Sequence, residues 1–286
     1  MEIFRIPKEM QAWSDALRAA GKRIGLVPTM GYLHEGHVSL VRIAREHGCE
    51  AVAATIFVNP TQFGPGEDYE RYPRDEERDL AMLRAAGTDA VYLPDVKAMY
   101  PEGYQTFVEV GEVSRGLCGA SRPGHFRGVA TVVAKLFLAA KPHVAVFGEK
   151  DYQQLAVIRR MARDLDFDVE IVAAPTVREA DGLAMSSRNK YLEGEDRKAA
   201  QCLSRGLFAA RGLFREGERD PGRITAAVRK ALEGENRAKL EYAEARDPET
   251  LAPLSAPSDR MTVLVAARVG PARLIDNITL QGGEAS

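Results

Sequence analysis

Residues 51–58, Ala-Val-Ala-Ala-Thr-Ile-Phe-Val, carry no charge and show no alternation of polar with apolar side chains. A strand with one wet face alternates. One that is apolar throughout is buried on both faces, as happens in a parallel sheet covered by helices. Shorter runs of the same kind stand at 24–27, 90–93, 144–147 and 169–173, and helical patterns separate them at 7–20, 38–46, 75–86, 129–139 and 152–164. In the first helix Met10, Trp13, Leu17 and Ala20 recur at helical spacing. Gly21, Gly48 and Gly87 stop three of the helices. Strands alternating with helices predict an α/β fold, a Rossmann-like parallel sheet with right-handed crossovers. Residues 106–110 read as an edge strand, and 113–122 fit no regular pattern.

After residue 173 the rhythm changes. Two helical stretches, 196–214 and 221–233, precede three strand-like runs at 240–245, 261–268 and 274–280. Helices followed by strands predict a separate, smaller α+β domain. The expected division is 1–185 for a nucleotide- and substrate-binding domain and 186–286 for a C-terminal lid. A length of 286 residues accommodates both.

Charge narrows the function classes. A formal net charge of -2 gives no global attraction to nucleic acid or to an anionic membrane. No apolar run reaches the about 20 residues of a membrane helix, and residues 1–11 lack the apolar core of a signal peptide. Cys49, Cys118 and Cys202 lie far apart, which argues against a disulfide framework or a zinc site and for a reducing cytoplasm.

Five stretches carry the candidate chemistry. The stretch 25–40 runs from an apolar strand through Pro28 and a glycine-containing loop into a helix, with His34 and His37 where the helix starts. Amides at a helix start attract phosphate, and imidazoles there add hydrogen bonds or positive charge. The alternative is an N-terminal cap with incidental imidazoles; a metal site lacks further ligands. Asn59-Pro60-Thr61-Gln62 follows the second buried strand, where open α/β sheets bind ligands. Gln62 both donates and accepts, which suits a substrate with a carboxylate and hydroxyls, although an ordinary Asn-Pro turn would read alike. Gly148 to Gln154 repeats the strand-to-helix design. Lys150 is placed for phosphate, Asp151 for a ribose hydroxyl and Gln154 one turn on; a solvated capping loop is the alternative. Met185-Ser186-Ser187-Arg188-Asn189 offers hydroxyls and a guanidinium to a polyphosphate, or is a linker. Gly124-His125-Phe126-Arg127-Gly128 supplies an anion contact or stabilises a helix start.

These residues, in this order, resemble the pantothenate synthetase (pantoate–β-alanine ligase) family. The resemblance rests on Pro28-Thr29-Met30-Gly31 with His34-Glu35-Gly36-His37, on Phe57 to Pro60 with Gln62-Phe63, and on Gly124 to Phe126 with Gly128-Val129. Gly148 to Gln153, Met185 to Asn189 and the closing Arg273 to Asn277 complete it. Tyr32 departs from the small alanine more usual there. The resemblance implies a nucleotidylyltransferase-type fold, whose His-x-Gly-His motif is shared with class I aminoacyl-tRNA synthetases. It also implies condensation of (R)-pantoate with β-alanine, using ATP and Mg. Pantoyl adenylate and pyrophosphate form first, then pantothenate and AMP.

Carried over residue by residue, Met30, Gly31, Tyr32, Leu33, His34, Glu35, Gly36 and His37 line the ATP site, with His37 as general acid. His34, Lys150, Ser186, Ser187 and Arg188 contact phosphates, and Gly148, Glu149, Lys150, Asp151, Val177 and Met185 hold the nucleoside. Gln62 and Gln154 bind pantoate, Gln62 also lying near β-alanine. The Mg ligands are unassigned; Asp75 and Asp79 either lie at the rim of the site or form a solvated helix face. The resemblance further implies a homodimer, with 106–110 as a candidate edge. Rival readings are a nucleotidylyltransferase acting on a phosphorylated substrate, a non-catalytic nucleotide-binding module, and a tRNA-binding relative, the last disfavoured by the balanced charge.

Overall fold

The computed structural model describes residues 1–283. It divides into two compact units, Met1–Glu149 with Val157–Pro175, and Lys150–Ala156 with the chain from Thr176 onward. In the first unit the order is β1 (Glu2–Phe4), α1 (Pro7–Ala19), β2 (Ile24–Thr29), α2 (Glu35–Glu46), β3 (Ala51–Ile56), α3 (Glu76–Ala85) and β4 (Ala90–Tyr92). Then come α4 (Val96–Met99), α5 (Leu117–Ser121), α6 (His125–Ala140), β5 (Val144–Gly148), α7 (Tyr152–Asp164) and β6 (Glu170–Ala174). The first turn of α7 falls in the segment grouped with the second unit.

The six strands form a parallel sheet in the order β1-β4-β3-β2-β5-β6. The chain winds outward from β2 through β3 in one direction and from β5 through β6 in the other. The switch point therefore lies between the carboxyl ends of β2 and β5, the place where open α/β sheets bind ligands. β2 and β3 pair from Ile24↔Ala51 to Thr29↔Ile56, and Val27, Val52, Ala54, Val91 and Val146 are fully buried beneath the helices. Gly25 lets α2 lie close to the sheet, since a Cβ there would sit 3.0 Å from both Ala44 Cβ and Cys49 Sγ.

One strand of this unit was not expected and one expectation is corrected. The edge strand β1 was invisible in the sequence because three residues are too short for a period. Residues 106–110 form no strand: the Val108 amide donates to Thr131 Oγ1 (2.9 Å) on α6 instead of to a ladder, and Arg127 stacks over Phe107 (3.9 Å).

The second unit continues through α8 (Gly194–Ala199), α9 (Cys202–Arg215), α10 (Pro221–Glu233), β7 (Ala238–Arg246), β8 (Arg260–Val269) and β9 (Ala272–Gln281). Its sheet is antiparallel, ordered β7-β8-β9. Leu203, Leu207, Ile224, Val228, Val263 and Val265 form the heart of its core. The single helix expected over 196–214 is broken after Ala199, where Gln201 bonds back to Lys198 and Leu203 to Ala200, three residues rather than four. Residues 176–185 group with this unit, where Arg178 bridges to Ala184 and forms an ion pair with Asp276 on β9. Among the described residues no helix is long and apolar enough to cross a membrane.

Candidate active site

The loop after β2 is built by side chains that accept from its backbone. Thr29 Oγ1 donates to the Thr55 carbonyl (2.6 Å) and accepts from the Gly31 amide (3.1 Å). Asp79, in the first turn of α3, accepts from the next two amides, Tyr32 at 2.6 Å and Leu33 at 2.7 Å. Burial pushes the Asp79 carboxyl above its ordinary range, and the two amide donors offset only part of that. His34 then caps α2 in extended backbone conformation, and its amide donates to His37 Nδ1 at 3.2 Å. The two imidazole rings lie 4.1 Å apart between centroids.

This arrangement refines the phosphate reading. The amides of Gly31 to His34 are engaged within the loop, so that reading rests on the imidazoles and on the first turn of α2, at Glu35 and Gly36. An imidazole accepting at Nδ1 carries its proton at Nε2 and donates from there.

Gln62 is held more tightly than a turn residue needs to be. It is 7% exposed and lies in a short 3₁₀ turn capped by Asn59. Asn59 Oδ1 accepts from the Thr61 amide (3.3 Å) and Tyr100 Oη (2.8 Å), while Asn59 Nδ2 donates to the Gly128 carbonyl (3.1 Å). A backbone amide can only donate and a carbonyl can only accept, so the orientation of the Asn59 amide is fixed. Its Nδ2 also donates to Gln62 Oε1 (3.0 Å), which turns Gln62 Nε2 toward Met30 Sδ (3.0 Å) on the histidine loop. Gln62 thus presents a donor. Its backbone carbonyl accepts from His125 Nδ1 (2.8 Å) and Arg122 Nη2 (3.2 Å). Arg122 in turn grips Glu67 through two bonds, at 2.8 and 2.6 Å. Burial raises the Glu67 carboxyl, but Arg122 outweighs it, and the pKa is lowered from 4.5.

Gly148 ends β5 and Glu149 opens the turn that follows; β5 is hydrogen-bonded to β2, so they share one edge of the sheet with the histidine loop. Burial pushes the Glu149 carboxyl upward. In the second unit, the Lys150 carbonyl accepts from Asn277 Nδ2 (3.0 Å), and Lys150 Nζ lies 3.8 Å from Asp151. Val177 and Met185 meet as the Met185 amide donates to the Val177 carbonyl (2.9 Å). Ser186 caps the turn that carries Ser187 and Arg188, accepting from the Arg188 amide (3.3 Å). That turn is anchored from Asn189, whose Nδ2 donates to Glu179 Oε1 (2.6 Å), and Glu179 also accepts from Arg197 (2.7 Å). Gln154 follows in the first turn of α7.

Several of these supports escaped the sequence reading. Asp79 is corrected most sharply: it is 1% exposed and bound to amides, so it is not part of a solvated helix face. Asp75 caps α3 through the Arg78 amide. Among the described residues no three His, Cys, Asp or Glu side chains group as a metal site. Tyr100, Glu67, Glu179 and Arg178 carry no local motif; each matters through residues distant in sequence.

Residues 2–279 match the family described as pantoate-beta-alanine ligase. The chain is 53% identical over 280 residues to a pantothenate synthetase of Geobacter sulfurreducens, covering 98% of this chain and 99% of that one. Among solved structures, pantothenate synthetase from Thermus thermophilus superposes with a TM-score of 0.92 at 49% identity, covering 97% of this chain and 99% of that one. Pantoate-beta-alanine ligase from Francisella tularensis, complexed with beta-gamma ATP and beta-alanine, superposes with a TM-score of 0.79 at 32% identity, covering 97% of each.

Proposed function

The chain belongs to the pantoate-beta-alanine ligase family, and on that premise we propose that it condenses (R)-pantoate with β-alanine at the expense of ATP. A carboxylate is a poor acyl donor because an oxide would have to leave. Attack of a pantoate carboxylate oxygen on the α-phosphorus expels pyrophosphate and forms a mixed anhydride. The β-alanine amine then attacks the acyl carbon, its proton is lost, and AMP leaves.

The observation that carries this reading is the fixed donor of Gln62 beside Met30. A rigid N–H donor next to a phosphate loop suits an acid substrate brought to a nucleotide. From the first unit we assign Met30 to His37 with Gly148 and Glu149 to ATP, and Gln62 to pantoate and β-alanine. From the second we assign Lys150, Ser186, Ser187 and Arg188 to phosphates, Asp151, Val177 and Met185 to the nucleoside, and Gln154 to pantoate. Charge building on the phosphate oxygens in the transition state is where such donors lower the barrier. His37 serves best as an Nε2–H donor to a phosphate oxygen. A general acid would need protons on both nitrogens, which the His34 amide at Nδ1 opposes.

Mg would supply neutralisation of phosphate charge, brought in on the nucleotide. The donor set fits that mode: Asp75 and Asp79 are engaged by backbone amides. We also propose a cytoplasmic homodimer; all three cysteines are buried free thiols, and light scattering tests the dimer. The activity is tested by AMP release, which requires pantoate and β-alanine together. Equal AMP release without β-alanine overturns the ligase reading.

A further inference from the structure

We propose that Asp79 is the positioning residue of the histidine loop, setting the direction of the backbone on which the His37 ring depends. This rests on the reading that His34 and His37 face the phosphates of ATP. The carboxylate is 1% exposed, and each of its oxygens accepts one of two successive amides, Tyr32 and Leu33. The next amide in the chain, that of His34, bonds His37 Nδ1. A rotation of the 32–33 peptides therefore moves the donor that orients the imidazole.

The loop is wrapped closely around this carboxylate. Gly31 has φ 81°, and a Cβ there would lie 2.9 Å from Asp79 Oδ2. Tyr32 is left-handed at φ 50°, a conformation that a side chain of this size adopts only when its surroundings hold it there. The surroundings come from the same turn of α3: Asp79 takes the Tyr32 amide, and the neighbouring Arg78 guanidinium stacks 5.2 Å from the Tyr32 ring centre. Thus the tyrosine at position 32 is held in its left-handed conformation from α3.

Asparagine at position 79 keeps the shape and removes one acceptor, so an NH₂ group faces a backbone N–H. Two explanations of Asp79 then part. If its charge only repelled ATP, Asp79→Asn would lower the KM for ATP and spare kcat. If it positions the loop, kcat falls about 10²-fold, the cost of roughly 1 Å of misplacement, while the KM for pantoate stays within about threefold. The test is pantoate-dependent ATP–pyrophosphate exchange on the full-length Asp79→Asn protein, with its melting curve and the ¹⁵N shifts of the His37 ring. A kcat drop with a moved His37 Nδ1 resonance in a folded protein supports the proposal. A kcat within threefold of the parent, or an unmoved resonance, overturns it.

If the variant does not fold, hydrogen exchange on the parent protein decides. Tyr32 and Leu33 amides protected like those of β2 support the proposal, and exchange at exposed-loop rates overturns it. Should the parent show no pantoate-dependent exchange at all, the functional reading falls, and the amide protection still decides the role of Asp79.

Discussion

Replacing Gly128 with alanine would place a methyl carbon 2.3 Å from the Thr61 carbonyl oxygen, 2.5 Å from its carbon and 2.7 Å from the Gln62 nitrogen. All three neighbours are backbone, so no side chain can swing aside. Ordinary carbon contacts lie at about 3.5–4.0 Å, so α6 and the 59–62 turn must separate by roughly 1 Å. On helix propensity alone the change would stabilise α6 by about 1 kcal/mol. Overpacking opposes this with about 1–3 kcal/mol. Loss of the Asn59-to-Gly128 hydrogen bond, 3.1 Å in the parent, adds about 1 kcal/mol. The net expectation is a loss of about 1–3 kcal/mol, read as a lower melting temperature. Because Asn59 also orients the Gln62 amide, a shift of this size should cost about 10²-fold in kcat/KM for pantoate. Thermal melts and initial rates over a pantoate titration measure both. A variant that melts higher than its parent and keeps its kcat/KM would refute the reasoning.

Other perturbations test separate parts. Glu67→Gln should cost about 2 kcal/mol at neutral pH, since Arg122 loses a half-buried charged acceptor. The carboxyl is lowered in the folded protein, so its contribution is present above the unfolded value near 4.5 and lost as pH falls through the folded value. The melting difference between variant and parent should therefore close below pH 4.5; a constant difference down to pH 3 contradicts the ion pair. Asp276→Asn leaves Arg178 facing a buried site where two bonds of 2.6 and 2.9 Å stood, and should cost about 3–5 kcal/mol by urea unfolding. Loss of less than 1 kcal/mol would show the pair to be dispensable. Gln62→Glu keeps the acceptor used by Asn59 and replaces the outward donor with charge, so the KM for pantoate should rise about 10²-fold. An unchanged KM removes Gln62 from the carboxylate.

What the sequence made legible follows from range. The strands β2, β3 and β5 announce themselves because burial on both faces writes a continuous apolar run. The histidine pair and Gln62 stand at strand ends, where position alone points to a site. Asp79 was hidden because its sequence neighbours, Glu76, Glu77 and Arg78, are exposed and charged; only the close approach of the 30–33 loop buries it. The orientation of Gln62 was equally hidden, since it depends on Tyr100, Arg122, His125 and Gly128, brought to it by tertiary folding. Residues 106–110 misled because their side chains are β-prone, whereas the Val108 backbone amide meets the Thr131 hydroxyl on α6 instead of a strand.

The central claim is that a pantoate carboxylate attacks the α-phosphate of ATP. Its most direct test is exchange of labelled pyrophosphate into ATP with pantoate present and β-alanine absent. Exchange that depends on pantoate, and that drains to AMP and pantothenate when β-alanine is added, is the predicted result. Nucleotide binding without pantoate-dependent exchange, together with no AMP formed when all three substrates are supplied, would contradict it.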